Sequence, residues 1–266
     1  MNIQRIGIVT LGASLLTAVA IPAHAKILKT KQASDYKELR LTIGTGFEYE
    51  GDSEEKTYDF PGLVEWGATD RLTLTAEPDY VVIKNAESGT IKGLGDLETS
   101  MVYEFVSERR KRPSLSAEVL VKWPTATSDS LTSNEIDYSV GGIISKEFVH
   151  FELDSEWLYT YVGDPPGLDL SNSTEISLAG NFHLTRSIDL EAEVVTSSGG
   201  GFHGTGTNIS QLPKDVGSGE REYETTLGLA ELLLNSRLKL EEGMVYKSDG
   251  TWQFVSAWEW NFGEGD

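Results

Sequence analysis

The 266-residue sequence contains no cysteine. That excludes a disulfide framework, a thiolate metal site and a cysteine nucleophile. Positive charge is scarce: 22 Lys and Arg stand against 42 Asp and Glu, a formal net charge of −20. So acidic a chain argues against a nucleic-acid partner. Histidine is sparse too, at His24, His150, His183 and His203. None has the spacing to Ser, Asp or a further ligand that acyl hydrolysis or metal binding would need, and no His-x-Ser-Asn-Gly phrase occurs. No catalytic residue, metal ligand or cofactor site is expected. Long apolar runs are absent after residue 25. A helix needs about 20 apolar residues to cross a bilayer, so any crossing here requires a closed β-barrel, whose backbone groups pair between strands.

What is present begins with a targeting signal. Arg5 precedes an apolar stretch from Ile6 to Ile21, followed by Ala23-His24-Ala25, a small-x-small cleavage pattern. Residues 1–25 read as a signal peptide, 26–37 as a periplasmic N-terminal segment, 38–262 as an outer-membrane barrel and 263–266 as a C-terminal tail.

From residue 38 onward the chain falls into segments of about ten residues with period-two alternation, the signature of transmembrane strands. In the first, Leu39, Leu41, Ile43, Phe47 and Tyr49 share one face, and Glu38, Arg40, Glu48 and Glu50 the other. Further segments lie near 57–67, 71–83, 96–106, 114–124, 135–145, 150–162, 175–184, 188–196, 222–233, 237–247 and 251–262, making twelve. The fold expected is a closed antiparallel barrel of about twelve strands with both termini periplasmic. Breaks around 51–56, 84–95, 125–134, 163–174 and 197–221 are generally longer than those at Ala68-Thr69-Asp70, Lys146–Val149, Thr185-Arg186-Ser187 and Asn235-Ser236. This is the alternation of outer loops with periplasmic turns. The Gly-rich loop 197–221 is expected to be mobile unless it folds into the pore.

Pointing the apolar face outward leaves only Glu231 and Glu242 in lipid, and Glu242 hints at a bulge or register error there. The inward face then carries Glu48, Glu65, Glu77, Asp79, Asp96, Glu98, Glu104, Glu118, Asp137, Glu152, Asp154, Glu156, Asp189, Glu191, Glu193, Glu222, Glu224 and Glu259. The bases Arg40, Arg71, Lys122, Arg237 and Lys239 are too few to neutralise them. Such ladders attract cations in a narrow, water-holding lumen. Arg237, Lys239 and Lys247 share one strand, and cross-strand pairing with Glu222 and Glu224 is the simplest expectation for them. The aromatics Trp66, Trp123, Trp157, Trp252, Trp258 and Trp260 belong to an interfacial girdle.

Three phrases resemble a known family. Gly67-Ala68-Thr69-Asp70-Arg71-Leu72-Thr73-Leu74, Gly93-Leu94-Gly95-Asp96-Leu97-Glu98 and Lys122-Trp123-Pro124-Thr125 are similar to motifs of the outer-membrane transporter family labelled "MetA-pathway of phenol degradation". In the last, Ala126 stands where that family has Gly. The resemblance implies a barrel with a solute-uptake or efflux role. The alternating Trp258, Trp260 and Phe262 resemble the terminal aromatic signal read by the barrel assembly machinery, although Gly263–Asp266 follow.

The function expected is an outer-membrane pore or transporter passing small neutral or cationic solutes through an acidic lumen. It would be a monomer, contacting outer-membrane lipids, with no cofactor and no enzymatic activity. A closed structural or lipid-modifying barrel without conductance is the alternative, and a soluble all-β binding module a weaker third.

Overall fold

A computed structural model describes residues 27–33, 39–51, 55–86, 89–165, 170–198 and 221–263. The proposed signal peptide, most of loop 197–221 and residues 264–266 lie outside them. The described chain is all β. Its strands are β1 (Leu41–Gly51), β2 (Glu55–Asp59), β3 (Gly62–Gly67), β4 (Leu72–Glu77), β5 (Tyr80–Asn85), β6 (Gly89–Leu94), β7 (Leu97–Val106) and β8 (Ser114–Trp123). They continue with β9 (Asp137–Glu147), β10 (Phe151–Tyr161), β11 (Ser173–His183), β12 (Ile188–Ser198), β13 (Glu222–Leu233), β14 (Leu238–Lys247) and β15 (Trp252–Phe262).

Every pairing is antiparallel between neighbours, and β15 returns to pair with β1 along ten residues, from Leu41↔Phe262 to Glu50↔Gln253. The result is a closed barrel of twelve transmembrane strands. Fifteen segments make twelve strands because three are interrupted: β2 and β3 meet at Pro61, β4 and β5 at Pro78, β6 and β7 at Gly95. Proline cannot donate to a ladder, so each Pro step bends its strand. Beyond the bends, β2, β5 and β6 continue the wall towards the loop end. The stretch expected to be a loop at 84–95 therefore contains a strand. Its Thr90, Lys92 and Gly89 have no strong strand pattern, and only pairing with β5 holds them extended.

The alternation decides the register throughout. Val64, Val119, Val140, Ile144, Leu178, Val194, Leu227 and Trp258 are exposed on the outside, while Thr42, Val102, Glu118, Ile143, Asp154, Glu191 and Ala257 are buried inside. An apolar surface this continuous is stable against lipid, not water. Glu242 and Glu231 do face outward, but β13 and β14 pair without interruption from Glu224↔Lys247 to Leu233↔Leu238, so there is no bulge or register slip. The β13–β14 turn is tight because Asn235 and Ser236 both adopt positive φ, 57° and 62°, which matches the right-handed twist of the strands.

The outward register yields a first expectation. Val194 lies near the middle of β12 and faces out. Val194→Arg is expected to lower unfolding free energy in lipid by about 2–4 kcal/mol, while Val194→Ile stays near wild type. Denaturant unfolding in liposomes measures both, and an inert arginine would place that face away from lipid.

Candidate functional site

The lumen is not empty. Residues 27–33, expected in the periplasm, cross it from the β13–β14 wall to the β8–β9 wall. Ile27 N donates to Glu241 Oε2 at 3.2 Å. Lys29 N and Thr30 N donate to the two oxygens of Glu193 at 3.0 and 2.7 Å, and Lys31 N donates to Glu156 at 2.9 Å. Gln32 Nε2 donates to Glu152 at 2.8 Å; Ala33 N donates to Ser145 Oγ and its carbonyl accepts from Ser116 Oγ, both at 2.7 Å. The segment bends at Ile27, Thr30 and Ala33 and has no ladder of its own, so wall side chains accept from its amides. Nothing in its sequence alternates, and its only advance signal was the surplus of inward acids that needed donors.

Two side chains of the segment supply missing positive charge. Lys29 Nζ lies 2.6 Å from Glu224 Oε2. The ammonium of Lys31 pairs with the fully buried Glu118 and donates to Ser100 Oγ at 3.1 Å. Ile27 is anchored by a notch. Gly228 and Gly243 face each other across β13 and β14, and Ile27 Cδ1 packs so close that a Cβ at Gly228 would collide with it.

The structure gathers many of the expected lumen acids into groups. Glu118, Glu156 and Glu193 meet the segment in mid-lumen. At the end where the short turns, Leu39 and Gly263 lie, Glu152, Asp154, Asp189, Glu191 and Glu259 line a cavity of about 430 Å³ with Arg40, Arg237 and Lys239. Towards the other end, Glu48, Glu77, Asp79, Asp96 and Glu98 line a second cavity of about 320 Å³ with Lys122. Glu65, Glu104, Asp137, Glu222, Glu224 and Arg71 line neither. Of these, Asp137 lies 2.6 Å from Lys122 Nζ and Glu104 accepts from Ser107 Oγ at 3.1 Å.

Two expectations need correction. Lys239 and Lys247 do not pair with Glu222 and Glu224. Lys239 Nζ sits 3.0 Å from Glu191 Oε1 and also pairs with Glu241; Lys247 pairs with Glu50. The reason is the smallness of β13, which shows Thr226, Gly228 and Ala230 to the lumen, so Lys239 reaches over it to β12. Glu241, buried at 1% exposure, is also a central residue that the sequence-derived set omits. His183 Nδ1 lies 3.0 Å from Asp189 Oδ1 with no nucleophile between them.

The second and third resembling phrases meet in space at the loop end, while the first forms the β3–β4 turn at the opposite end. Gly93 lies against Thr127 and Gly95 against the Asp79 carboxylate, closely enough that a Cβ at either would clash. Asp96 accepts from Ala126 N at 3.0 Å and Thr132 Oγ1 at 2.7 Å, while Thr125 Oγ1 accepts from Leu97 N at 2.8 Å.

The barrel is similar to several solved structures. An outer-membrane channel from Pseudomonas putida F1 superposes with a TM-score of 0.65 at 14% identity, over 87% of this chain and 100% of that one. The NanC porin gives 0.58 at 10% identity, covering 83% and 98%. The translocator domain of the Neisseria meningitidis autotransporter NalP gives 0.51 at 10%, covering 86% and 89%. These likenesses show a fold that both channels and translocator domains use. No curated relative matches, and no family model matches, so the "MetA-pathway of phenol degradation" label rests on the three phrases alone.

The Lys31–Glu118 pair gives a second expectation. Lys31→Met leaves a buried carboxylate without its cation and is expected to cost roughly 3 kcal/mol, most of it recovered in the Lys31→Met, Glu118→Leu double variant. A denaturant-unfolding double-mutant cycle checks this, and additive losses would show that the two residues do not interact.

Proposed function

We propose that the chain is an outer-membrane pore passing small neutral or cationic solutes, monomeric, with both termini in the periplasm. The observation that carries this reading is the acid lining of both lumen cavities, one towards each end of the barrel. Carboxylates in excess of bases cannot stay ionised in a dry interior, so water and counterions must reach them. A twelve-stranded wall leaves room for that water: eight strands are filled by side chains, and sixteen leave an open channel. The excess negative charge raises local cation concentration and repels anions.

The placement of the ends supports the orientation. Leu39 and Gly263 flank the end bearing the short turns at 68–71, 184–187 and 234–237, which in outer-membrane barrels is periplasmic. The closing strand β15 carries the outward aromatics Trp258, Trp260 and Phe262 and would be read by the assembly machinery.

A second reading, the closed barrel without conductance, is favoured by residues 27–33, which occupy the lumen between opposite walls. Planar-bilayer recording under a salt gradient separates the two. The wild-type chain is expected to carry a small current whose reversal potential reports cation selectivity, and removal of residues 27–33 to raise conductance severalfold. Silence from both proteins would overturn the pore and favour the closed barrel; anion selectivity would overturn the role given to the acids.

A further inference from the structure

The cavity at the turn end contains acceptors that the protein itself does not use. Six carboxylates line it against Arg40, Arg237 and Lys239. Asn181, on β11, is nine-tenths buried, and its Oδ1 accepts no hydrogen bond. Its cross-strand neighbours are Glu152 on β10 and Glu191 on β12, and as carboxylates neither can donate to it. Glu191 is 1% exposed; its Oε1 takes Lys239 Nζ at 3.0 Å, but its Oε2 accepts nothing. Orphaned acceptors this deeply buried cost free energy unless a donor arrives. Asn181 and Glu191 stand in direct register and both line the cavity.

The rest of the lumen shows which donor fits. Lys31 places an ammonium between a carboxylate, Glu118, and a neutral side-chain oxygen, Ser100 Oγ. Glu191 Oε2 and Asn181 Oδ1 offer the same combination of carboxylate and neutral oxygen without an ammonium of the chain upon it. A bound metal ion fits less well: among the described residues no three His, Cys, Asp or Glu side chains are grouped to hold one. The volume, about 430 Å³, is also large for a bare ion and suited to a small organic molecule. The apolar Leu28 and Leu232 line the same space and provide contact for a short hydrocarbon stem.

We infer that this cavity is a binding site for small organic amines, with the ammonium held by Glu191 Oε2 and Asn181 Oδ1. The inference rests on the pore reading for its biological sense, since it names the solute class that an acidic lumen would select. Binding itself requires no transport.

The test is a ligand-observed NMR titration of n-butylammonium onto the refolded mature chain in detergent, with n-butanol and potassium chloride as comparisons. Saturable binding of butylammonium is expected, with none for butanol and no displacement by an equal concentration of potassium. Asn181→Leu is expected to weaken binding at least about tenfold without lowering the melting temperature, because it removes an orphaned polar group. Asn181→Asp, which adds a carboxylate, is expected to tighten binding and covers the case in which the leucine variant fails to fold. Absence of saturable binding, equal binding of butanol, displacement by potassium, or full affinity in Asn181→Leu would each overturn the site. The outcome is separable from the fate of the pore. Binding by a chain that carries no current upholds the site and sinks the pore, whereas cation-selective current without binding does the reverse.

Discussion

The pairing of β15 with β1 is the constraint from which the rest of this structure follows. In hydrocarbon an unpaired backbone amide costs several kcal/mol, so the sheet must close on itself, as it does along ten paired residues. Closure divides the chain into a face for lipid and a face for the lumen. With a period of two, every second residue must then go inside, charged or not. The lumen receives the acids because the outside cannot take them, and the resulting charge excess is a by-product of sorting as much as an adaptation.

That excess has to be met, and the protein meets it from an unexpected direction. Lysines 29 and 31 bring cations to Glu224 and Glu118, and the backbone amides of Ile27, Lys29, Thr30 and Lys31 are donors to wall carboxylates. An irregular segment is well suited to this. With no helix or ladder of its own, each amide is available, and a carboxylate accepting backbone N–H groups is stabilised in its ionised form. Wall and segment therefore solve each other's problem: one has surplus acceptors, the other surplus donors. Small residues make the fit possible, with Gly228 and Gly243 opening the notch for Ile27 and letting Lys239 span β13 to Glu191.

The barrel was legible in the sequence for a simple physical reason. Lipid enforces alternation along each strand, and Leu115, Ala117, Val119 and Val121 against Ser114, Ser116, Glu118 and Leu120 in β8 show it without help from the rest of the fold. What escaped was everything set by contacts between distant segments. Residues 27–33 have no periodicity, since they are placed by contacts to several different wall strands. Strand β6 is held by its pairing with β5 and by Thr127, whose backbone N donates to Leu94 O at 2.9 Å. The partners of Lys239 and Lys247 depend on which neighbours are small and how the barrel shears, neither of which local alternation records. Outward-facing Glu242 suggested a bulge for the opposite reason: one ill-suited residue was weighed against local pattern, whereas the continuous β13–β14 ladder outweighs it.

The same logic separates the two ends of the lumen. At the loop end, acids are consumed by architecture: Asp96 ties Ala126 and Thr132 to the start of β7, and Asp137 holds Lys122. Those carboxylates maintain the meeting of β6, β7 and the 124–136 connection. At the turn end, Arg40 is turned aside to Asn261, which accepts from its Nε and Nη2 at 3.0 and 2.7 Å, and Lys239 is shared between Glu191 and Glu241. Arg40 and Lys239 are already engaged while buried acceptors remain, and rearranging them would only move the deficit from one carboxylate to another. A deficit that no internal rearrangement can remove is filled from solution, by water, by counterions or by a solute carrying its own positive charge.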